Sequence, residues 1–216
     1  MTKLLPDTQQ GIEQAARALQ EGQLLAFPTE TVFGLGALVS QPQAVTGIFE
    51  AKGRPADHPL IAHVSRHFDL TGWADVSSPQ AQRLIEAFWP GPLTLVVPKG
   101  EKMPTVVTGG QSSVGVRCPS HPIAQALLSL LDAPVAAPSA NRFGKVSPTH
   151  CDHVLQELNG RIGFILQGSQ SELGIESTIV SLLDSQPVLL RPGSITVAQL
   201  EAALGMPVLT QSHGAG

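Results

Sequence analysis

Leu24-Leu25-Ala26-Phe27-Pro28-Thr29-Glu30-Thr31-Val32-Phe33-Gly34-Leu35-Gly36 is the stretch on which the reading of the fold turns. Its first four residues form a short apolar run that stops at Pro28. A proline cannot donate to a sheet ladder, so residues 24–27 read as a buried strand with a turn behind it. Toward the N-terminus, Ile12, Ala15, Ala16 and Leu19 recur at helical spacing, and the pattern closes at Gly22. This predicts an amphipathic helix over residues 8–21. Toward the C-terminus, Val45, Ile48 and Phe49 mark a helix beginning near Pro42, and Leu60 to Val64 reads as the next strand. Helix and strand alternate.

The alternation continues. Pro79, a favoured first helical position, opens a helix through Leu84, Ile85 and Phe88 to the breaker Trp89-Pro90-Gly91-Pro92. Thr94 to Val97 is a buried strand, Val114-Gly115-Val116-Arg117 another, and Ile123 to Leu131 a helix. Val135-Ala136-Ala137 is a strand entering the loop Pro138-Ser139-Ala140-Asn141. A helix around Val154, Leu155 and Leu158 precedes strands at Phe164–Leu166, Thr178–Leu182 and Val188–Leu190. Thr196 and Gln199 have the spacing of a capping box for a last helix through Leu204. The order predicts an α/β fold with a sheet of roughly seven strands and helices packed on it. The small, polar, glycine-ended stretch from Thr210 to Gly216 reads as a flexible tail or the start of a linker, leaving residues 1–209 as one domain.

Composition narrows the function. Hydrophobic residues make up 42% and charged residues 14%, enough apolar material for a core and too little charge for a disordered chain. The net charge of -4 argues against a protein that coats nucleic acid, because phosphate-driven binding needs an excess of Lys and Arg on one face. Cys118 and Cys151 match no metal or redox spacing, as a reducing cytoplasmic compartment permits. The N-terminus lacks the basic-then-apolar order of a signal peptide, and no apolar run reaches the ~20 residues that span a bilayer.

Four clusters could carry chemistry. The segment Pro28 to Gly36 places hydroxyls at a strand end with glycines behind, which suits a ligand site or a plain turn. Lys52-Gly53-Arg54, with Asp57, His58 and His63 following, places two cations where they can converge on one anion; dipole complementarity at a helix C-terminus gives the same pattern. His63 lies inside an apolar strand, as a core histidine or as a ligand contact. Arg117 and the loop Ala137 to Arg142, with Ser147 beyond it, form the third cluster, and Gly174-Ile175-Glu176-Ser177-Thr178 with Arg191 the fourth. The chain has only 13 Lys and Arg, yet Lys52, Arg54, Arg117, Arg142, Lys145 and Arg191 all stand at element ends beside Gly, Pro or Ser, where a phosphate is commonly held. Neither G-x-x-x-x-G-K-[ST] nor G-x-G-x-x-G occurs, nor the G-x-S-x-G of a serine hydrolase. His150-Cys151-Asp152-His153 offers metal-ligand types, but it falls at an expected helix start with no second ligand group at suitable spacing.

Taken together, PTETVFGLG, KGRPADHPLIAHV, FWPGPLTLVV, VGVRCPSHP, APSANRFGKVSPT, GIESTIV and LLRPGSIT resemble the YrdC-like family of threonylcarbamoyl-AMP synthases, in the family's order and spacing over Gln23 to Ile195. The resemblance implies a twisted, partly open mixed sheet with flanking helices and a concave basic cleft. It implies that L-threonine, bicarbonate and ATP, with Mg2+ accompanying ATP, give threonylcarbamoyl-AMP and pyrophosphate in the cytoplasm. A separate transferase complex would then carry the group to the adenosine beside the anticodon of tRNA.

Carried over by position, Thr31, His63, Arg117, Ala137 and Ser177 would hold threonine. Arg54, His58, Gly115, Ser139, Ser147 and Arg191 would surround ATP, and Lys52, Arg54, Ser139 and Asn141 form the family's K-x-R and S-x-N pairs. His58 stands where many members carry Asn, and Phe33 where many carry Tyr. The family's long branch adds a linker and a second domain, so the chain corresponds to the short form or to the first domain of the long one. Two other functions compete: a carbamoyl-adenylate-forming domain, and a module that grips double-stranded RNA in its cleft, for which weak RNA binding would be the sign.

Overall fold

In a computed structural model that describes residues 1–211, the six helices fall where apolar spacing puts them: α1 (Gln9–Gln20), α2 (Pro42–Lys52), α3 (Pro79–Phe88), α4 (Pro122–Leu128), α5 (Cys151–Leu158) and α6 (Val197–Leu204). Their starts are set by local chemistry. Thr8 and Ser78 accept from the N–H groups of Gly11 and Ala81 at 3.1 Å each, and Thr196 with Gln199 forms a complete capping box. Pro42, Pro79 and Pro122 begin α2, α3 and α4, where a missing N–H costs nothing. Gly53 ends α2 in the left-handed region at φ 67°, which turns the chain sharply between Lys52 and Arg54.

The strands are β1 (Lys3–Leu5), β2 (Leu25–Phe27), β3 (Gly34–Leu38), β4 (Ile61–His63), β5 (Leu93–Pro98), β6 (Ser113–Arg117), β7 (Val135–Ala136), β8 (Phe164–Leu166), β9 (Thr178–Ser181), β10 (Val188–Arg191) and β11 (Leu209–Thr210). They form one mixed, unclosed sheet in the order β1-β8-β2-β3-β7-β4-β6-β5-β9-β10-β11. Eleven strands stand where roughly seven were expected, eight of them at the stretches singled out as strands. The unexpected ones are β1, too short to show a period, β3, and β11 in the stretch expected to be loose. The boundary drawn after residue 209 therefore cuts a strand, and residues 212–216 of the expected tail lie outside the described residues.

β3 reads as a turn because of its two glycines, yet every residue in it is buried. A Cβ at Gly36 would stand 2.7 Å from Val135 and 2.9 Å from Phe27, so the close packing of β2, β3 and β7 requires glycine there. Phe27, Phe33, Leu35, Leu93 and Leu95 are among the largest fully buried side chains of a single core cluster. Phe33 belongs to that core.

Among the described residues no helix is long and apolar enough to cross a membrane.

Candidate active site

The central strands present alternate residues to one cavity. β4 and β6 run parallel in the register Ile61↔Gly115 and His63↔Arg117, and β6 and β5 antiparallel with Thr94↔Arg117 and Val96↔Gly115. Side chains two apart share a face, so His63, Arg117 and Thr94 form a polar rung and Ile61, Gly115 and Val96 an apolar one. All six line a cavity of about 380 Å³, within the range of about 300–1,000 Å³ usual for small-molecule sites. Gly115 keeps the second rung low, since a Cβ there would reach 3.3 Å from Thr94 and project into the space. The loops after β2, α2, β7 and before β9 close the walls with Thr29, Thr31, Arg54, His58, Ser139, Glu176 and Ser177.

At the buried end, Arg117 is held on three sides. Its Nε donates to Gly91 O at 3.2 Å, Nη1 to Thr31 Oγ1 at 2.9 Å and Nη2 to Glu30 Oε1 at 2.5 Å. Glu30 uses its other oxygen to accept from Ser120 N and Oγ at 2.9 and 2.7 Å. A guanidinium has five N–H groups, so two of Arg117's remain for a ligand. Burial lowers its pKa, and the Glu30 charge opposes that shift. Burial, then the positive charge of Arg117, pushes His63 down to about 3, so its imidazole is neutral, with Nδ1 3.0 Å from Ile61 O. Ser177 Oγ lies 2.7 Å from Thr94 Oγ1, and Ala137 spends its N–H on Ile61 O.

Toward the mouth the cations are half-buried. Arg191 donates from Nε to Ser177 O at 2.9 Å and from Nη2 to Ser177 Oγ at 3.1 Å, and its Nη1 stands 3.4 Å from Glu176. Arg54 donates from Nη2 to Pro59 O at 3.0 Å, while its Nε is buried without a partner. Burial lowers the pKa of both, Glu176 opposes the shift in each, and the charge of Arg191 lowers Arg54 further. His58 meets the exposed Phe143 edge-on at 5.5 Å.

Of the residues singled out by sequence, Thr31, Arg54, His58, His63, Gly115, Arg117, Ala137, Ser139, Ser177 and Arg191 line this cavity; Lys52, Asn141 and Ser147 do not. Lys52 lies behind the wall, with Nζ donating to Ser139 O at 2.5 Å and Asn141 O at 2.6 Å. It anchors the loop that presents Ser139. Burial, reinforced by Arg54, lowers its pKa to about 8. Asn141 braces the same loop by donating to Arg142 O and Lys145 O at 2.7 and 2.9 Å. Arg142 and Lys145 are exposed and off the lining, Arg142 pairing with Glu157 at 3.1 Å. Sequence reasoning gave no role to Glu30 or Thr94; alternation from Thr94 to Val96 could have placed Thr94, but nothing local ties Glu30 to Arg117.

The metal-ligand types of His150, Cys151 and Asp152 do come within 4.8 Å of one another. His150 Nδ1, however, caps α5 by accepting from Asp152 N at 3.1 Å, so the lone pair a metal needs is already engaged.

The model of the Sua5, YciO and YrdC family, described as "Telomere recombination", matches residues 17–193. The chain is 49% identical over 194 residues to a threonylcarbamoyl-AMP synthase of Pyrococcus abyssi, covering 90% of this chain and 57% of that protein. It is 48% identical to one of Bacillus subtilis, covering 90% and 56%. The chain thus spans a little over half the length of these relatives. A crystal structure of P. abyssi Sua5 complexed with L-threonine superposes with a TM-score of 0.91 at 45% identity, over 96% of this chain and 62% of that one.

Proposed function

Because the chain belongs to the Sua5, YciO and YrdC family, we propose that it joins L-threonine, bicarbonate and ATP into threonylcarbamoyl-AMP with release of pyrophosphate. The observation that carries the proposal is one cavity with two unlike anion-binding ends. The buried end offers an oriented arginine, a neutral histidine and hydroxyls to an amino acid; the mouth offers Arg54 and Arg191 to phosphates. Threonine enters with its carboxylate toward the two remaining N–H groups of Arg117, close to Thr31, His63 and Ser177. That a relative is crystallised with L-threonine supports this end of the assignment.

ATP then lies from the apolar rung at Gly115 to Arg54, Ser139 and Arg191. The threonine amine condenses with bicarbonate to a carbamate, an N–C bond forming as a C–O bond breaks and water leaves, and a carbamate oxygen then attacks the α-phosphorus while the bond to pyrophosphate breaks. Negative charge builds on the phosphate oxygens, where Arg54 and Arg191 are already fixed. Lys52 and Asn141 hold the loop of Ser139 in place. No covalent nucleophile takes part; aligning the reactants is itself worth on the order of 7–11 kcal/mol at best. Magnesium comes with ATP as part of that substrate and offsets phosphate charge, and Glu176, the only carboxylate on the lining among the described residues, fits it as an oxygen ligand.

The product would pass to a transferase that modifies tRNA in the cytoplasm. Pyrophosphate release measured with each of the twenty amino acids, with and without bicarbonate, tests the reaction. Release should require L-threonine and bicarbonate together; equal turnover with carbamoyl phosphate and no threonine would overturn it.

A further inference from the structure

We propose that Glu30, which does not touch the cavity, decides which anion each end accepts: by answering the charge of Arg117 while holding it in place, it keeps phosphate out of the amino-acid end. The inference rests on the functional reading above and adds a residue with no place in it.

Two arginines at the mouth face one half-exposed carboxylate, Glu176, whose nearest contact to Arg191 is a long 3.4 Å. That end keeps net positive charge. Arg117, by contrast, is met at 2.5 Å by a carboxylate that is itself buried. The third ionisable group at this end, His63, is neutral. A bare buried arginine would be the strongest phosphate site in the cavity, because a fully desolvated cation attracts a multiply charged anion more strongly than a half-exposed one. With Glu30 in place the buried end carries almost no net charge. It can still satisfy a singly charged carboxylate by hydrogen bonding through the two free N–H groups, but it offers little to a phosphate dianion.

Ser120 completes the device. Its N–H and hydroxyl both donate to Glu30 Oε2, which leaves Oε1 turned to Arg117 and holds the fork toward Thr31. The glutamate therefore has two separable effects, on the charge of Arg117 and on its position. Glu30→Gln removes the first and disturbs the second; Glu30→Asp keeps the charge and retracts it by one methylene; Ser120→Ala keeps the charge and loosens the carboxylate.

The test is calorimetric titration of threonine into each folded protein, with and without millimolar inorganic phosphate at constant ionic strength, alongside titration of ATP. In the unaltered protein threonine should bind equally well in both buffers. In Glu30→Gln threonine affinity should fall by about tenfold or more, and phosphate should now compete with it. Glu30→Asp and Ser120→Ala should weaken threonine by a smaller factor with no competition from phosphate. ATP affinity should stay within about twofold throughout. Glu30→Gln that binds threonine without competition from phosphate overturns the inference while leaving the proposed reaction intact. Failure of the unaltered protein to bind threonine overturns the reaction itself. If Glu30→Gln does not fold, Glu30→Asp decides: phosphate competition in that charge-retaining variant, or threonine affinity equal to that of the unaltered protein, overturns the inference.

Discussion

The two ends of the cavity use the same side chain in opposite states. At the buried end Arg117 is 3% exposed, pinned by Gly91, Thr31 and Glu30, and electrically answered. At the mouth Arg54 and Arg191 are half-buried, and Arg54 keeps a buried Nε without any partner. Pinning yields direction and selectivity; incomplete pairing yields attraction for charge. A reaction that must bring an amino acid and a triphosphate together in one orientation needs both.

The largest expected effect breaks the comparison directly. Arg117→Ala should weaken threonine binding by about 2–5 kcal/mol, roughly thirtyfold or more, and leave ATP binding little changed; Arg54→Ala should do the reverse. Arg117→Ala also strands Glu30 as a buried lone charge, so Arg117→Lys, which keeps a cation but loses the fork, should be titrated beside it. If both arginine positions lose both ligands equally, the cavity has one undivided anion site and the assigned ends are wrong.

Next in size is a stability effect confined to the buried end. His63 in the native protein takes a proton only at about pH 3, whereas an unfolded histidine does so near 6.5. Between those values the unfolded state binds more protons, so stability falls as pH drops, by up to about 1.4 kcal/mol per unit. His63→Gln should flatten that part of the curve in urea melts from pH 7 to 4. An unchanged slope would show that His63 is charged or solvated in the native protein.

Lys52, behind the cavity wall, gives a smaller effect of the same sign. With its pKa lowered to about 8, it is charged at neutral pH and loses its proton above that value. The native state then binds fewer protons than the unfolded chain, so folding stability rises through the window from pH 8 toward 10.5, while the cationic anchor of Ser139 and Asn141 is lost. ATP affinity should therefore fall a few-fold above pH 8, with threonine affinity flat over the same range. Parallel loss of both ligands would separate the effect from Lys52.

The two ends were not equally legible in the sequence. Helices with strong apolar spacing fell into place, α2, α3 and α6 being marked further by Pro42, Pro79 and the Thr196–Gln199 pair. β3 could not be, because Gly34 and Gly36 signal a turn locally, and only the crowding against Phe27 and Val135 makes them strand residues. Of the six basic residues that stand beside Gly, Pro or Ser, Arg54, Arg117 and Arg191 do line the cavity, while Lys52, Arg142 and Lys145 do not. The state of Arg117 was not legible: Glu30 is 87 residues away in the chain, and the bond between them exists only once β2 and β6 are in the same sheet. Lys52 shows the same limit. Its spacing to Arg54 suggests a shared anion, whereas the fold turns its ammonium to the backbone of the Ser139 loop.

The smallest expected effect is on the cysteines, and it tests whether anything but position drives the chemistry. Cys118 follows Arg117 directly, yet it is off the lining, its Sγ accepts from Gln125 Nε2 at 3.3 Å, and burial raises its pKa. Cys151 sits at the start of α5, also off the lining, with its pKa raised by burial and then by Asp152. Both are thiols at neutral pH, and thiolate is the form that attacks. A Cys118→Ser, Cys151→Ser variant should lose some stability, because Cys118 is 2% exposed and a hydroxyl there must find a partner. Its turnover of ATP to pyrophosphate should stay within about twofold once folding is matched, since less than about 0.4 kcal/mol of barrier is at stake when no bond to sulfur forms. A folded double variant with no turnover would mean that a covalent step passes through a cysteine, and the division of labour between Arg117 at one end and Arg54 with Arg191 at the other would no longer be sufficient to account for the reaction.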